Sequence, residues 1–305
     1  MKKIDVHMHC FLHRPLLAHT GARDRFMTPP EVFAMYDRLD VELGVLLPVV
    51  SPEYANVVQG NEEVLALTQA WPDRFRWFCN VDPRNHGNAA EDDLTDTLLT
   101  YRAHGALGVG EVMANLPFDD PLTENLLRCC EKTNMPVLFH IGPQKGNCYG
   151  LIDEPGLPRL ERGLQNFPNL LFIGHSQPFW CEISAGVTAE NRNTYPRGPV
   201  VPGRVIKLME RYPNLTADLS ANSGFNALKR DVAFACEFLE AFQDRLFFGT
   251  DICSSEDYIG LSPWLDALLW DGKLSQRAYE SICRGNAERL LLSRHAQNHS
   301  DSKIE

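Results

Sequence analysis

No Cys-x-x-Cys pair occurs in this 305-residue chain, whose nine cysteines are scattered at Cys10, Cys79, Cys129, Cys130, Cys148, Cys181, Cys236, Cys253 and Cys283. That absence argues against a zinc knuckle or a thioredoxin-like motif, and the odd count suits reduced thiols used mainly for packing. Basic charge is also scarce. Lys and Arg total 29 against 40 Asp and Glu, a formal net charge of −11, which works against binding to phosphate backbones or anionic membrane surfaces. Neither nucleic acid nor a membrane is an expected partner. No stretch approaches the roughly 18 apolar residues of a membrane-spanning helix. Lys2 and Lys3 lead into an acidic, histidine-bearing segment rather than an apolar one, so no secretory signal is expected and the chain reads as cytoplasmic. Low-complexity segments are absent, as is any repeat beyond the strand–helix rhythm described next.

What the chain does have is 44% hydrophobic and 23% charged residues, an ordinary globular composition with enough apolar mass for a large core. Short runs rich in β-branched and aromatic residues recur at roughly 30- to 45-residue intervals, the size of a βα unit. Eight are present, at Ile4–His9, Val45–Val50, Phe75–Val81, Ala106–Val112, Val137–Ile141, Leu170–His175, Leu215–Leu219 and Leu246–Asp251. Amphipathic segments separate them. Thr28-Pro29-Pro30-Glu31 has the form of a capping box and opens a helix that runs to about Leu43, where Gly44 stops it. Further helices are predicted at Asn61–Trp71, Glu91–His104, Thr123–Thr133, Leu157–Phe167, Val205–Tyr212 and Leu228–Phe242, with two more near Ser275–Cys283 and Asn286–Ser293.

Eight strands alternating with helices predict an α/β fold, a (β/α)8 TIM barrel in a single domain over residues 1–294, followed by a polar tail at 295–305. The competing fold is an open doubly wound sheet. It would be expected to carry a glycine-rich turn after the first strand, where this chain has His7-Met8-His9 instead. The connection at about 176–201 has little periodicity, and its length predicts a lid or binding loop.

Side chains at i and i+2 of a strand share a face, so His7 and His9 can grip one ion from one direction. Other candidate ligands end other strands: Glu111 the fourth, His140 the fifth, His175 the sixth and Asp251 the eighth. Barrel enzymes place their active sites at that end, so six residues from five strands are expected to converge on one mouth. Cys10 and Cys253 lie within two residues of such ligands and are the cysteines to expect near the site.

These residues resemble the amidohydrolase superfamily, within it the branch of aminocarboxymuconate semialdehyde decarboxylase and related small metal-dependent hydrolases. The matching motifs are Asp5-x-His7-x-His9, His140, Gly174-His175, Asp218-Leu219-Ser220-Ala221, Gly249-Thr250-Asp251 and Gly285-Asn286-Ala287-Glu288-Arg289-Leu290-Leu291. The resemblance implies that His7, His9, His140 and Asp251 bind a divalent metal, most plausibly zinc, with His175 beside the activated water. Two-metal branches place a bridging carboxylate on the fourth strand, Glu111 here, and His140 and His175 would then hold the second ion. With one ion, Glu111 would be a supporting or substrate-facing acid.

Such a ligand set implies hydrolysis of a small amide, ester or lactone, with Asp251 moving the proton and His175 stabilising the oxyanion. Non-oxidative decarboxylation of a small unsaturated or aromatic acid is the alternative, and a phosphoesterase or nuclease is disfavoured by the acidic balance. The expected partner is a small molecule, a carboxylate among the candidates, with a homo-oligomer of the chain as a further expectation. Substrate contacts are expected from Trp180, Asn222, Asn226 and Arg197, with Arg192 and Tyr195 on the same loops; an inward Arg192 or Arg197 would clamp a carboxylate. Met35, Trp71 and Trp264 read as packing.

Overall fold

Among the described residues nine parallel strands form one sheet: β1 (Lys3–Met8), β2 (Val41–Leu46), β3 (Phe75–Cys79), β4 (Ala106–Val112), β5 (Val137–Gly142), β6 (Leu151–Ile152), β7 (Phe172–His175), β8 (Leu215–Asp218) and β9 (Leu246–Phe247). The structure is a computed structural model that describes residues 1–15, 26–54, 57–255, 257 and 259–294; the expected tail at 295–305 lies outside them. Strand order is β1-β2-β3-β4-β5-β7-β8-β9, with the short β6 paired to β5. The chain at and beyond β9 then bonds back to β1, through Val6 N–H to Phe248 O (3.1 Å), Asp251 N–H to His7 O (2.7 Å) and His9 N–H to Ile252 O (2.7 Å). That closure makes the expected single-domain (β/α)8 barrel, with β6 as an addition.

Why the polar strand ends are held rigidly follows from what lies beneath them. Leu138 and Ile173 sit two residues before His140 and His175 on the same strand faces, and with Ile4, Val6, Val45, Phe78 and Phe247 they belong to one buried cluster. It fills the barrel below the mouth. Ala287 and Leu291 join this cluster, and buried Asn286 ties the C-terminal helical stretch to the barrel by donating to Gln243 O (2.6 Å) and Leu246 O (2.8 Å). The Gly285–Leu291 stretch is therefore structural. Opposite strand faces, including Trp77, Phe139 and Phe172, pack against the surrounding helices, as do Met35, Trp71 and Trp264.

Several boundaries differ from the sequence expectation. The helix Pro29–Leu39 opens at the Thr28/Glu31 capping box as expected, but it ends at Asp40, whose left-handed backbone (φ 55°) turns the chain into β2. Gly44 is a strand residue, not a helix stop. A Cβ there would lie 2.3 Å from the hydroxyl of buried Tyr36, which donates to Asp5 Oδ2 at 2.8 Å. Gly44→Ala should displace Tyr36 and break that buried bond, at a cost of about 2–4 kcal/mol. A urea midpoint unchanged from wild type would contradict this.

The helix expected over Leu228–Phe242 is two, Ala221–Lys229 and Val232–Ala241, because Asp231 turns the chain and caps the second by accepting from Phe234 N–H (3.2 Å). The sequence does not announce helix Leu261–Trp270, which is largely apolar. The long connection after β7 opens with a short helix, Gln177–Cys181, and is irregular thereafter until the helix Arg204–Arg211. No helix among the described residues is long and apolar enough to cross a membrane.

Candidate metal centre

All six expected ligands meet at the C-terminal mouth of the barrel. His7 Nε2 lies 3.2 Å from Asp251 Oδ1 and 3.4 Å from Glu111 Oε2, while His9 Nε2 lies 3.5 and 3.7 Å from the same two atoms. Glu111 Oε1 faces the other way, 2.6 Å from His140 Nδ1 and 3.6 Å from His175 Nε2. Three groups of described residues have metal-type spacing, with the ligand atoms of each within 4.8 Å of one another: His7/His175/Asp218 lies beneath the mouth, and the other two are His7/His9/Glu111/Asp251 and Glu111/His140/His175. Glu111 belongs to both of the latter.

Hydrogen bonds beneath the mouth fix which nitrogen each ring presents. His9 Nδ1 faces Leu47 O at 2.9 Å. Buried Asp218, at the end of β8, takes two rings at once, His7 Nδ1 at 2.8 Å on Oδ2 and His175 Nδ1 at 3.1 Å on Oδ1. Both imidazoles then carry their proton on Nδ1 and turn Nε2 toward the carboxylates. Ser220 supports the arrangement, with its hydroxyl donating to Asp218 and lying 3.1 Å from His175 Nδ1. Asp5 links the first and last strands by accepting from His7 N–H (3.1 Å), Thr250 N–H (2.9 Å) and Thr250 Oγ1 (2.6 Å).

The electrostatics suit a cation. Burial opposes the charged form of His9, but Asp251 and Glu111 outweigh it and raise its pKa to about 9. His7 is likewise driven well up against burial by Asp251, Asp218 and Glu111. Burial would raise Glu111, yet His7 and His140 hold it well below the usual carboxylate range. His7 Nε2 provides the test of fit: it is buried, has no hydrogen-bond partner, and points at two carboxylates. An imidazole nitrogen with its other nitrogen pinned, among carboxylate oxygens, is the donor set of a divalent ion such as zinc.

Above these groups lie two adjoining cavities of about 200 and 280 Å³, which share His140, Tyr149, Tyr195, Ala221 and Asp251. Asn222 and Tyr195 line the mouth as expected, and Cys253 lines the smaller cavity. The other expected contacts go elsewhere. Trp180 is buried and donates its indole N–H to Asp218 O at 3.0 Å, so it braces the strand. Asn226 donates to Pro196 O at 3.1 Å, and Arg197 is exposed and lines neither cavity. Arg192 is buried with its guanidinium on Asp153 O, so neither arginine forms the expected clamp. Cys10 packs in the core.

Sequence reasoning gave Asp218 no role of its own, although it ends a strand at the same barrel face and the rule that found the other ligands applies to it. Tyr54 and Tyr149, 5.3 Å apart in an edge-on pair, also line the mouth, and Tyr149 packs 4.7 Å from His140. They stand on connections without periodic pattern, so no sequence signal marked them.

Known proteins of the same shape include an uncharacterised TIM-barrel protein from Bordetella bronchiseptica (20% identity over 97% of this chain and 100% of that one, TM-score 0.66). A 2,6-dihydroxybenzoate decarboxylase from Rhizobium matches at 17% identity over 95% of this chain and 98% of that one (TM-score 0.57). So does a probable 2-pyrone-4,6-dicarboxylic acid hydrolase from Acinetobacter baumannii, at 17% identity over 95% and 99% (TM-score 0.55). At these identities the likeness is one of fold. No curated protein matches the sequence significantly. The amidohydrolase family model, however, matches residues 4–292, which takes in all six converging residues and the strands that carry them, Lys3 at the start of β1 excepted. The chain belongs to the amidohydrolase family.

Proposed function

We propose that this protein is a metal-dependent hydrolase that adds water to the carbonyl carbon of a small amide, ester or lactone, with His7, His9, Glu111, His140, His175 and Asp251 holding two divalent ions such as zinc. The observation that carries this reading is the position of Glu111. Its Oε2 faces His7 and His9, and its Oε1 faces His140 and His175. A carboxylate that offers one oxygen to each of two ligand groups suits a two-ion site, whereas a one-ion site would use it only as a supporting or substrate-facing acid.

A bound divalent ion supplies Lewis acidity and lowers the pKa of water from about 16 towards about 7. The chain's own residues do the rest. Asp251 reaches the ligand group with Oδ1, approaches His175 Nε2 with Oδ2 (3.6 Å), and lines both cavities. It takes the proton of the attacking water and later returns it to the leaving group. Asp218 orients His7 and His175 from below. Asn222, Tyr149 and Tyr195 surround the space where the acyl group sits and supply hydrogen-bond donors to it.

Zinc-loaded protein should hydrolyse phenyl acetate to phenol and acetate, and Asp251→Asn should lower the rate at least about a hundredfold. The competing chemistry is tested with 2,6-dihydroxybenzoate. Release of carbon dioxide from it without net addition of water, combined with no hydrolysis of phenyl acetate, would replace the hydrolase reading by the carboxy-lyase one.

A further inference from the structure

Arg192 is a charged residue in the irregular loop, yet it is 1% exposed. Its Nη1 donates to the backbone carbonyl of Asp153, just after β6, while Nε and Nη2 are buried without a partner. Two buried carboxylates lie close enough to act on it, Asp153 and Glu182. Neither is free to move. Asp153 caps the helix Pro158–Asn166 by accepting from Arg159 N–H (3.0 Å) and Leu160 N–H (2.8 Å), and Glu182 accepts from Gly156 N–H (2.6 Å). Arg192 is thus plugged into a fixed part of the barrel.

What it anchors is functional by position. Asn193 follows directly and Tyr195 is three residues on, and both line the larger cavity. Weaker ties continue along the strip, from Cys181 Sγ to Thr194 O (3.1 Å) and from Asn226 Nδ2 to Pro196 O (3.1 Å). Around the anchor the chain is mostly exposed: Asn191, Asn193, Thr194 and Arg197 all face solvent. Exposed irregular chain is an ensemble unless something pins it, because ordering each residue costs conformational entropy. A buried, partly unsatisfied guanidinium is a poor source of net stability, since desolvation offsets its attraction to carboxylates. Its measurable effect should therefore be on where the loop sits.

We infer that Arg192 is a positioning residue, a plug that holds Asn193 and Tyr195 over the mouth and so sets substrate affinity without touching the substrate. The second half of this statement rests on the mouth being the substrate site, as proposed above. The loop is then a fixed roof rooted at Arg192 rather than a lid that swings freely.

Limited trypsin digestion of the native protein, following the exposed Arg197–Gly198 bond, separates this role from a general one. Arg192→Met keeps side-chain length and removes the charge and its donors; it should raise cleavage at that bond about tenfold. Metal content and the urea midpoint should stay near wild type, a split that a purely stabilising residue would not give. In the phenyl acetate assay KM should rise about tenfold with kcat within about threefold. Arg192→Lys, which keeps the buried charge but not the forked reach to Asp153 O, should be intermediate, and it decides the matter if Arg192→Met does not fold.

Cleavage at the wild-type rate in a folded variant would overturn the anchor, as would, in Arg192→Lys, cleavage spread over all tryptic sites with a collapsed midpoint. The digestion does not depend on turnover. If wild-type protein does not hydrolyse phenyl acetate but the variant is cut faster at Arg197, the hydrolase reading falls and the anchor stands.

Discussion

Glu111→Gln is expected to reduce the bound metal from two ions per chain to one and to lower hydrolysis by about a thousandfold. Glutamine matches glutamate in shape, so the barrel should fold, but a neutral amide cannot give one negatively charged oxygen to each of two ions. Glu111 is 3% exposed and meets four imidazoles, with His140 Nδ1 nearest at 2.6 Å. Without its charge the His140/His175 side keeps only Asp251 Oδ2, 3.6 Å from His175 Nε2 and far from matching the 2.6 Å contact to His140 that is lost, whereas the His7/His9 side keeps Asp251 Oδ1 at 3.2 Å from His7. The second ion should therefore be lost and the first retained. Elemental analysis beside a kcat measurement checks both halves. Two ions in Glu111→Gln would refute the bridge, and unchanged kcat with one ion would show that the second is not needed.

Asp218→Asn should behave differently, weakening both ions by about 10- to 100-fold each. The aspartate accepts from a ring of each ligand group, His7 and His175, and from Ser220 N–H (3.0 Å) and Oγ. Asparagine offers one acceptor oxygen and a pair of donors. One of the two imidazoles must then face an N–H, and it will rotate or shift its proton to Nε2, the atom that should hold metal. Zinc titration by calorimetry should show both binding steps weakened. Ser220→Ala, which removes only a supporting hydroxyl, should cost a few-fold. Intact affinity at both sites in Asp218→Asn would mean the rings are oriented without it.

How much of this was legible in the sequence depends on the kind of residue. Strand ends could be read because each strand is a short apolar run that closes on a polar residue: Leu138 lies under His140 and Ile173 under His175. The family, too, could be read from Asp5-x-His7-x-His9 onward. Positions set by tertiary packing could not. Gly44 looks like a helix stop until Tyr36 is seen beneath it, and Leu261–Trp270 is too apolar to show amphipathic rhythm. Loop side chains were hardest. Arg192 and Arg197 differ by five positions in one irregular stretch, yet one is buried and the other exposed, because the turn around Asn191 and the approach of Asp153 from another element decide it. No local pattern encodes such an approach.

Metal content is the most direct test of the central claim, that Glu111 joins two ligand groups into a hydrolytic centre. Protein purified without chelators and analysed for zinc and other divalent metals should contain two equivalents per chain, and phenyl acetate hydrolysis should vanish with chelation and return with zinc. One equivalent, or hydrolysis that survives complete removal of metal, would contradict it.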